Sequence, residues 1–427
     1  MERYPIVDTE GEIVGFIATS NDFTAFFDRD GILRKLYFWL TAETAVRVEN
    51  IVRGRILALD DVELDVVRAL EDIPWPVIYS TPSFEEYVKW LSKEVGPHIE
   101  NAEIMVNFSG GKDSLSVLSA LAELRKYVSF KLYAVYTHVP FLEQPRNINF
   151  VLQVSRRLDV EIEILEGDRK LMERRLVEDG LPFRGWRWCT YLKLKPIKKL
   201  RKERRPDMIA DGDRLAETFK RFQRLYSMSP KKPRVLSGNR LKPVYVWTVL
   251  DVVRATRRHG CVHPDYLEGQ PRVACMLCPY KSLHEIPSYY LERSEDPGVL
   301  EQALRTSYRK RYKDLGIPQD DFQEQHLWRM HPEAAKIYWK ARKALRVRDL
   351  ESVDSDYVNF LFTTMWINPP AKAPCLDPLT AFKLISRYVE KGLEAMTTAE
   401  DIKQLNMHMF TNTFAVDHYA QCMGEAG

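Results

Sequence analysis

The chain has 427 residues, 45% hydrophobic and 29% charged, with a formal net charge of +3. That length predicts two or three domains of ordinary soluble composition, and the near-neutral charge excludes a broadly basic nucleic-acid surface. No apolar run reaches membrane-spanning length, so no membrane partner is expected, and the polar N-terminus MERYPIVDTEGE lacks a signal-peptide core, which predicts a cytoplasmic location.

Residues 1–80 alternate short apolar runs with turns (EIVGFIA, DFTAFFDRDG, LRKLYFW, IVRGRILALD), which predicts a small N-terminal α+β domain. The segment IPWPVIYSTPS (73–83) carries three prolines and reads as a linker. SFEEYVKWLSKEV (83–95) then has helical apolar spacing, with Ser83 as its cap. Strand, helix, strand, helix and strand come next, over 102–108, 113–127, 131–139, 148–159 and 160–167. This order predicts an α/β fold, a parallel sheet with helices on both faces, over 81–282, with ligands at the carboxyl ends of the strands. PDMIADGDR (206–214) reads as a fourth strand with its loop, and VWTVLDVVRATRRHG (246–260) as a helix. Residues 283–427 form a helical C-terminal region, broken by the four prolines of WINPPAKAPCLDP (366–378).

The first strand runs into VNFSGGKDS (106–114). A strand, a glycine turn and a helix make an anion cradle, because the first helical N–H groups lack internal partners and the helix dipole favours negative charge. Gly110 and Gly111 let the backbone approach a ligand, Lys112 adds a cation, and Ser109 and Ser114 add hydroxyls. Asp113 caps the helix or orients a magnesium ion. The spacing is neither that of the Walker loop nor that of the dinucleotide-binding turn.

SGGKDS after an apolar strand resembles the pyrophosphate loop of the adenine nucleotide alpha-hydrolase superfamily. Four further segments resemble the phosphoadenosine phosphosulfate (PAPS) reductase family: WRWCTYLKLKPI (186–197), GDRLAETFKR (212–221), KPVYVWTVLDVV (242–253) and HPDYLEGQPRVACMLCP (263–279). The resemblance covers 105–280 and implies roles residue by residue. Ser109 to Ser114 would hold a phosphate or phosphosulfate; Arg187, Lys193 and Lys195 would face the anion; Arg214 and Arg221 would clamp it, with Glu217 orienting an arginine. Lys112 and Arg214 carry the expected catalytic charge stabilisation.

Of six cysteines, Cys275 and Cys278 form a C-x-x-C. Such a pair alone is a redox couple, half of a metal site or chance. Some relatives hold a 4Fe–4S cluster through a cysteine pair and a distant C-x-x-C. Position 188 is Trp here, so the expected set is Cys189, Cys275, Cys278 and, as fourth ligand, Cys261, holding iron–sulfur or zinc. The reductases also use a nucleophilic cysteine on a C-terminal tail. Cys422 stands in that place, in HYAQCMGEAG, without the family's local motif.

Three functions are expected. The first is reduction of a sulfonucleotide, adenylyl sulfate (APS) or PAPS, to sulfite, with a thioredoxin-like dithiol as reductant. The second is ATP-dependent adenylation and sulfur transfer to tRNA or DNA, with magnesium on pyrophosphate; the missing tail motif and the extra domains point that way. The third is a nucleotide- or redox-sensing module with a structural metal. LWRMHPEAAKIYWKARKAL (327–345) interleaves aromatic and basic residues, and is either a nucleic-acid contact or a core face beside a solvated face.

Overall fold

A computed structural model describes residues 2–53, 56–66, 82–286, 290–370 and 376–394. The N-terminal unit is built of β1 (Tyr4–Val7), β2 (Ile13–Ser20), β3 (Phe23–Phe27), β4 (Leu33–Trp39) and β5 (Thr44–Arg47), then β6 (Val52–Arg53), β7 (Ile56–Leu59) and β8 (Val62–Asp65). Two of its turns share one device. Asp8 accepts from the N–H groups of Glu10 and Glu12, Asp28 from those of Asp30 and Ile32, and Gly11 and Gly31 take the left-handed conformation that closes each turn. The α+β unit expected over 1–80 is described only to residue 66. Among the described residues 2–66 only a 3-10 turn, Glu49–Ile51, interrupts the strands, because β-branched and aromatic runs of four to eight residues leave no room for a helical stripe.

The central unit comprises, in chain order, α1 (Phe84–Ile99), β9 (Glu103–Asn107), α2 (Lys112–Leu124), β10 (Lys131–His138), α3 (Arg146–Leu158), β11 (Glu161–Glu166), α4 (Arg169–Asp179), α5 (Trp188–Arg204), β12 (Met208–Ala210), α6 (Phe219–Met228), β13 (Leu236–Ser237), β14 (Arg240–Leu241), α7 (Val249–Arg258) and α8 (Pro264–Leu267). The strands lie in the order β11-β10-β9-β12-β14-β13, parallel except for the edge strand β13. Side chains of β9 alternate between two cores. Ile104 and Val106 pack with α1, α2 and α3, while Met105 packs with Leu200 of α5 on the opposite face. The basic run KLKPIKKLRKERR belongs to α5, whose Leu192 and Leu200 are buried.

The C-terminal region supplies α9 (Pro297–Ser307), α10 (Gln319–Glu324), α11 (Pro332–Arg346), β15 (Ser352–Asp354), α12 (Ser355–Ile367) and α13 (Pro378–Glu394). It is not a separate layer. Strand β15 pairs antiparallel with β5, α12 packs on β1, and Ala341 and Leu345 of α11 enter the N-terminal core. The aromatic-basic stretch 327–345 turns its key groups inward. Trp328, Arg329 and Arg342 are buried, and both guanidinium groups donate to the fully buried Asp22 of the N-terminal sheet. The core-face alternative therefore describes this stretch, and the basic groups tie two regions together. Removing one partner of such a buried cluster costs about 3–5 kcal/mol.

Candidate functional site

Loop 108–111 leaves β9 at the carboxyl edge of the parallel sheet and enters α2. Gly110 has φ +79, the left-handed region that suits glycine, and a Cβ there would stand 3.9 Å from the Tyr136 ring. Gly212 is a close-approach glycine, since a Cβ on it would sit 3.0 Å from the Asp113 backbone. The two serines fold the loop on itself. Ser114 Oγ accepts from the Ser109 N–H at 3.1 Å, stands 3.0 Å from Ser109 Oγ and donates to the Gly111 carbonyl at 3.0 Å. The Lys112 N–H, at the start of α2, donates to Tyr266 Oη at 2.6 Å.

The cations here are buried. Lys112 is 4% exposed and Arg214 0%. Lys112 Nζ stands 3.2 Å from Asp113 Oδ2 and 3.2 Å from Glu2 Oε2. Arg214 Nε donates to Asp113 Oδ1 at 2.6 Å, its Nη2 to Glu2, and its Nη1 to the Trp247 carbonyl at 3.3 Å. Burial opposes the charge on Asp113, but Arg214 and Lys112 outweigh it and hold the carboxyl at about 2. Burial likewise opposes the charge on Lys112 and Arg214, and the carboxylates of Asp113 and Glu2 reverse it, raising both cations.

A second polar centre lies beyond β10, at the same edge, because β9 and β10 run parallel. Its hub is Glu143, buried at 4% exposure. Glu143 accepts from Tyr136 Oη at 2.7 Å, Lys193 Nζ at 2.8 Å and the Val139 N–H at 3.3 Å; the Cys275 thiol donates to it at 3.6 Å. Burial works against its ionisation, yet Lys193 and the hydrogen bonds hold the Glu143 carboxyl below its usual range. The Cys275 thiol is raised by burial and by Glu143. Cys189 is pushed up to about 11 by burial, with the charge of Cys278 adding to it. Tyr136 connects the two centres, its ring facing Gly110 and its hydroxyl held by Glu143.

The structure gathers some of the expected residues and separates others. Arg221 pairs with Asp213 and, at 3.2 Å, with Glu217, so Glu217 does hold an arginine, at the rim of the site. Arg187 lies over the Tyr280 ring, its guanidinium carbon 4.7 Å from the centroid, and Lys195 is exposed on α5. Cys189 and Cys275 share one apolar cluster, and Cys278 stands close enough for its charge to act on both. Cys261 does not join them. It is packed in the core formed by α1, α2 and α7, where its thiol donates to the His259 carbonyl at 3.3 Å. Among the described residues no three His, Cys, Asp or Glu side chains are arranged to hold a metal ion. The four-cysteine set expected for iron–sulfur or zinc is thus not assembled, because Cys261, in the segment after α7, packs in a different core from Cys189 and Cys275. Cys422 lies outside the described residues. The sequence reading missed Glu143 and Glu2. The first comes just after a strand end predicted to face ligand, and that position was its one available signal; the second has none.

Residues 103–281 match the family model of the phosphoadenosine phosphosulfate reductase domain. No curated protein matches the chain. Similar solved structures include the U34-tRNA thiolase NcsA from Methanococcus maripaludis with its 4Fe–4S cluster, at 17% identity over 62% of this chain and 81% of that one, TM-score 0.33. The NMN synthetase from Francisella tularensis aligns at 11% identity over 63% and 95%, TM-score 0.28. The NH3-dependent NAD synthetase from Campylobacter jejuni aligns at 11% over 53% and 94%, TM-score 0.29.

Proposed function

We propose that this chain, whose residues 103–281 match the PAPS reductase domain, binds an adenine nucleotide on its glycine loop and reduces a sulfonucleotide to sulfite. The observation that carries this reading is the pairing, at one sheet edge, of a buried Lys112–Arg214 anion centre with a thiol centre at Cys275, joined through Tyr136. Phosphate and sulfate oxygens would take the N–H groups of the loop, Lys112 and Arg214. A thiol would attack sulfur and expel the nucleoside phosphate, leaving an S-sulfonated cysteine. A second thiol would then release sulfite and leave a disulfide, which a thioredoxin-like dithiol would reduce. Cys422 is the tail nucleophile of this scheme. Cys275 is the second candidate, its thiol hydrogen-bonded to Glu143.

Anaerobic incubation with APS, PAPS or ATP and a dithiol, resolving sulfite, AMP, adenosine 3′,5′-bisphosphate and pyrophosphate, tests the reading. Sulfite from one sulfonucleotide supports it and names the substrate. Loss of sulfite in Cys422→Ser or in Cys275→Ser identifies the nucleophile. Formation of AMP and pyrophosphate from ATP without sulfite overturns it.

That last outcome belongs to a second reading, ATP-dependent sulfur transfer. Two observations favour it. The carboxylates of Glu2 and Asp113 offset Lys112 and Arg214, and such a near-neutral site suits a nucleotide that arrives with magnesium. A polar pocket of about 490 Å³, lined by Glu43, Gln144, Lys281 and Asn359 among others, also opens beside Met276 of the C-x-x-C and offers room for an acceptor.

A further inference from the structure

The N-terminal strand delivers an acid into the anion site of another unit. Glu2 is 8% exposed and is 212 residues in sequence from Arg214, to which it is bound. The residues after Glu2 are firmly held. Arg3 Nη1 donates to the Gly31 carbonyl at 2.8 Å, Tyr4 Oη to the Pro271 carbonyl at 3.0 Å, and the Val7 N–H to Thr364 Oγ1 at 3.1 Å. The carboxylate is therefore fixed at its root, while its own side-chain torsions remain a hinge. Its two oxygens divide between the two cations, Oε2 to Lys112 and Oε1 to Arg214. Asp113 bridges the same pair from the other side, so two cations and two carboxylates close a ring of ion pairs.

We propose that Glu2 is a specificity-determining residue of the anion site, a resident carboxylate that stands where ligand oxygens bind and admits only ligands with two linked anionic groups. This rests on the reading of the glycine loop as an anion site. A ligand that displaces Glu2 must satisfy Lys112 and Arg214 together, since leaving either buried cation with fewer partners is costly. A single small anion replaces one contact and strands the other. A diphosphate or phosphosulfate spans both. The like charge of Glu2 also weakens every anion that enters beside it. Asp113 is a less suitable gate, because its shorter side chain, in the first turn of α2, has one torsion fewer than that of Glu2.

The test is calorimetric titration of the wild-type full chain and Glu2→Gln with inorganic phosphate and, separately, inorganic pyrophosphate. The expected result is a wild type that prefers pyrophosphate strongly, and a variant that binds pyrophosphate about tenfold tighter and phosphate tighter still in proportion. An unchanged preference in the variant, or weaker binding of both anions, overturns the proposal while leaving the anion site intact. Binding of neither anion by either protein overturns the anion-site reading and this proposal with it. Where Glu2→Gln does not fold, crystals of the wild type with pyrophosphate decide the matter. Glu2 withdrawn from Lys112 and Arg214 supports the assignment, and Glu2 still on both with pyrophosphate seated elsewhere overturns it.

Discussion

The two polar centres at the edge of the parallel sheet are built alike but assembled differently. Each sets a lysine on a buried carboxylate, Lys112 on Glu2 and Lys193 on Glu143. At the thiol centre, cation, carboxylate and cysteines all lie within 103–281, the span matching the PAPS reductase domain. At the glycine loop one carboxylate comes from the N-terminal sheet, and Tyr266, which takes the Lys112 N–H, stacks on Trp366 of α12 at 4.5 Å. The ion pairs of the loop thus draw on a residue outside the domain, whereas those of the thiol centre do not, although Cys189 and Cys275 pack against a core that includes Leu300, Leu304 and Trp328. The Lys112 side chain is 4% exposed and that of Lys193 32%, so the second lysine stem lies nearer solvent.

Substitution of the central cations exposes this contrast most sharply. Arg214→Met leaves Glu2 and Asp113 without their shared guanidinium, and should lower stability by about 3–5 kcal/mol. Lys193→Met leaves Glu143 the hydrogen bonds from Tyr136 and Val139, and should cost less, about 1–2 kcal/mol. Urea denaturation of both variants measures the gap, and equal losses would erase the distinction drawn between the centres. At the thiol end, Glu143→Gln removes the negative neighbour of Cys275. Its ionisation should then shift to lower pH, read as the pH profile of Cys275 alkylation followed by mass spectrometry. An unmoved profile would detach Glu143 from the thiol.

The loop centre has a smaller signature in acid. The Asp113 carboxyl is held at about 2, below its ordinary 3.8. Its contribution is complete above the ordinary value and is lost as pH falls through about 2. Unfolding free energy of the wild type should therefore fall more steeply from pH 4 to 2, taken as approximate bounds, than that of Asp113→Asn. Parallel slopes would show that the ion-pair ring gives no linkage there. The smallest effect belongs to Cys261→Ser. A buried thiol in an apolar core should cost about 1 kcal/mol when exchanged for a hydroxyl, with nucleotide affinity unchanged. A large drop in affinity would return Cys261 to the site.

Much of the central unit is legible in the residues themselves. The apolar runs at 102–108 and 131–139 become β9 and β10, and the helix predicted from 113 starts at Lys112, because a short apolar run and a helical stripe are both local patterns. The glycine loop is equally local, since strand, turn and helix N-terminus are adjacent in sequence. Residue order alone therefore carries the sheet, the loop and the identity of its cations. Tertiary structure alone decided which groups meet them. Glu2 reaches Arg214 across 212 residues, Glu143 meets Cys275 across 132, and Cys261 turns into the core away from the other thiols. No periodicity encodes such meetings. They depend on how β1, β10 and α7 are packed, and packing is set by the shape and burial of whole surfaces rather than by the order of neighbouring residues.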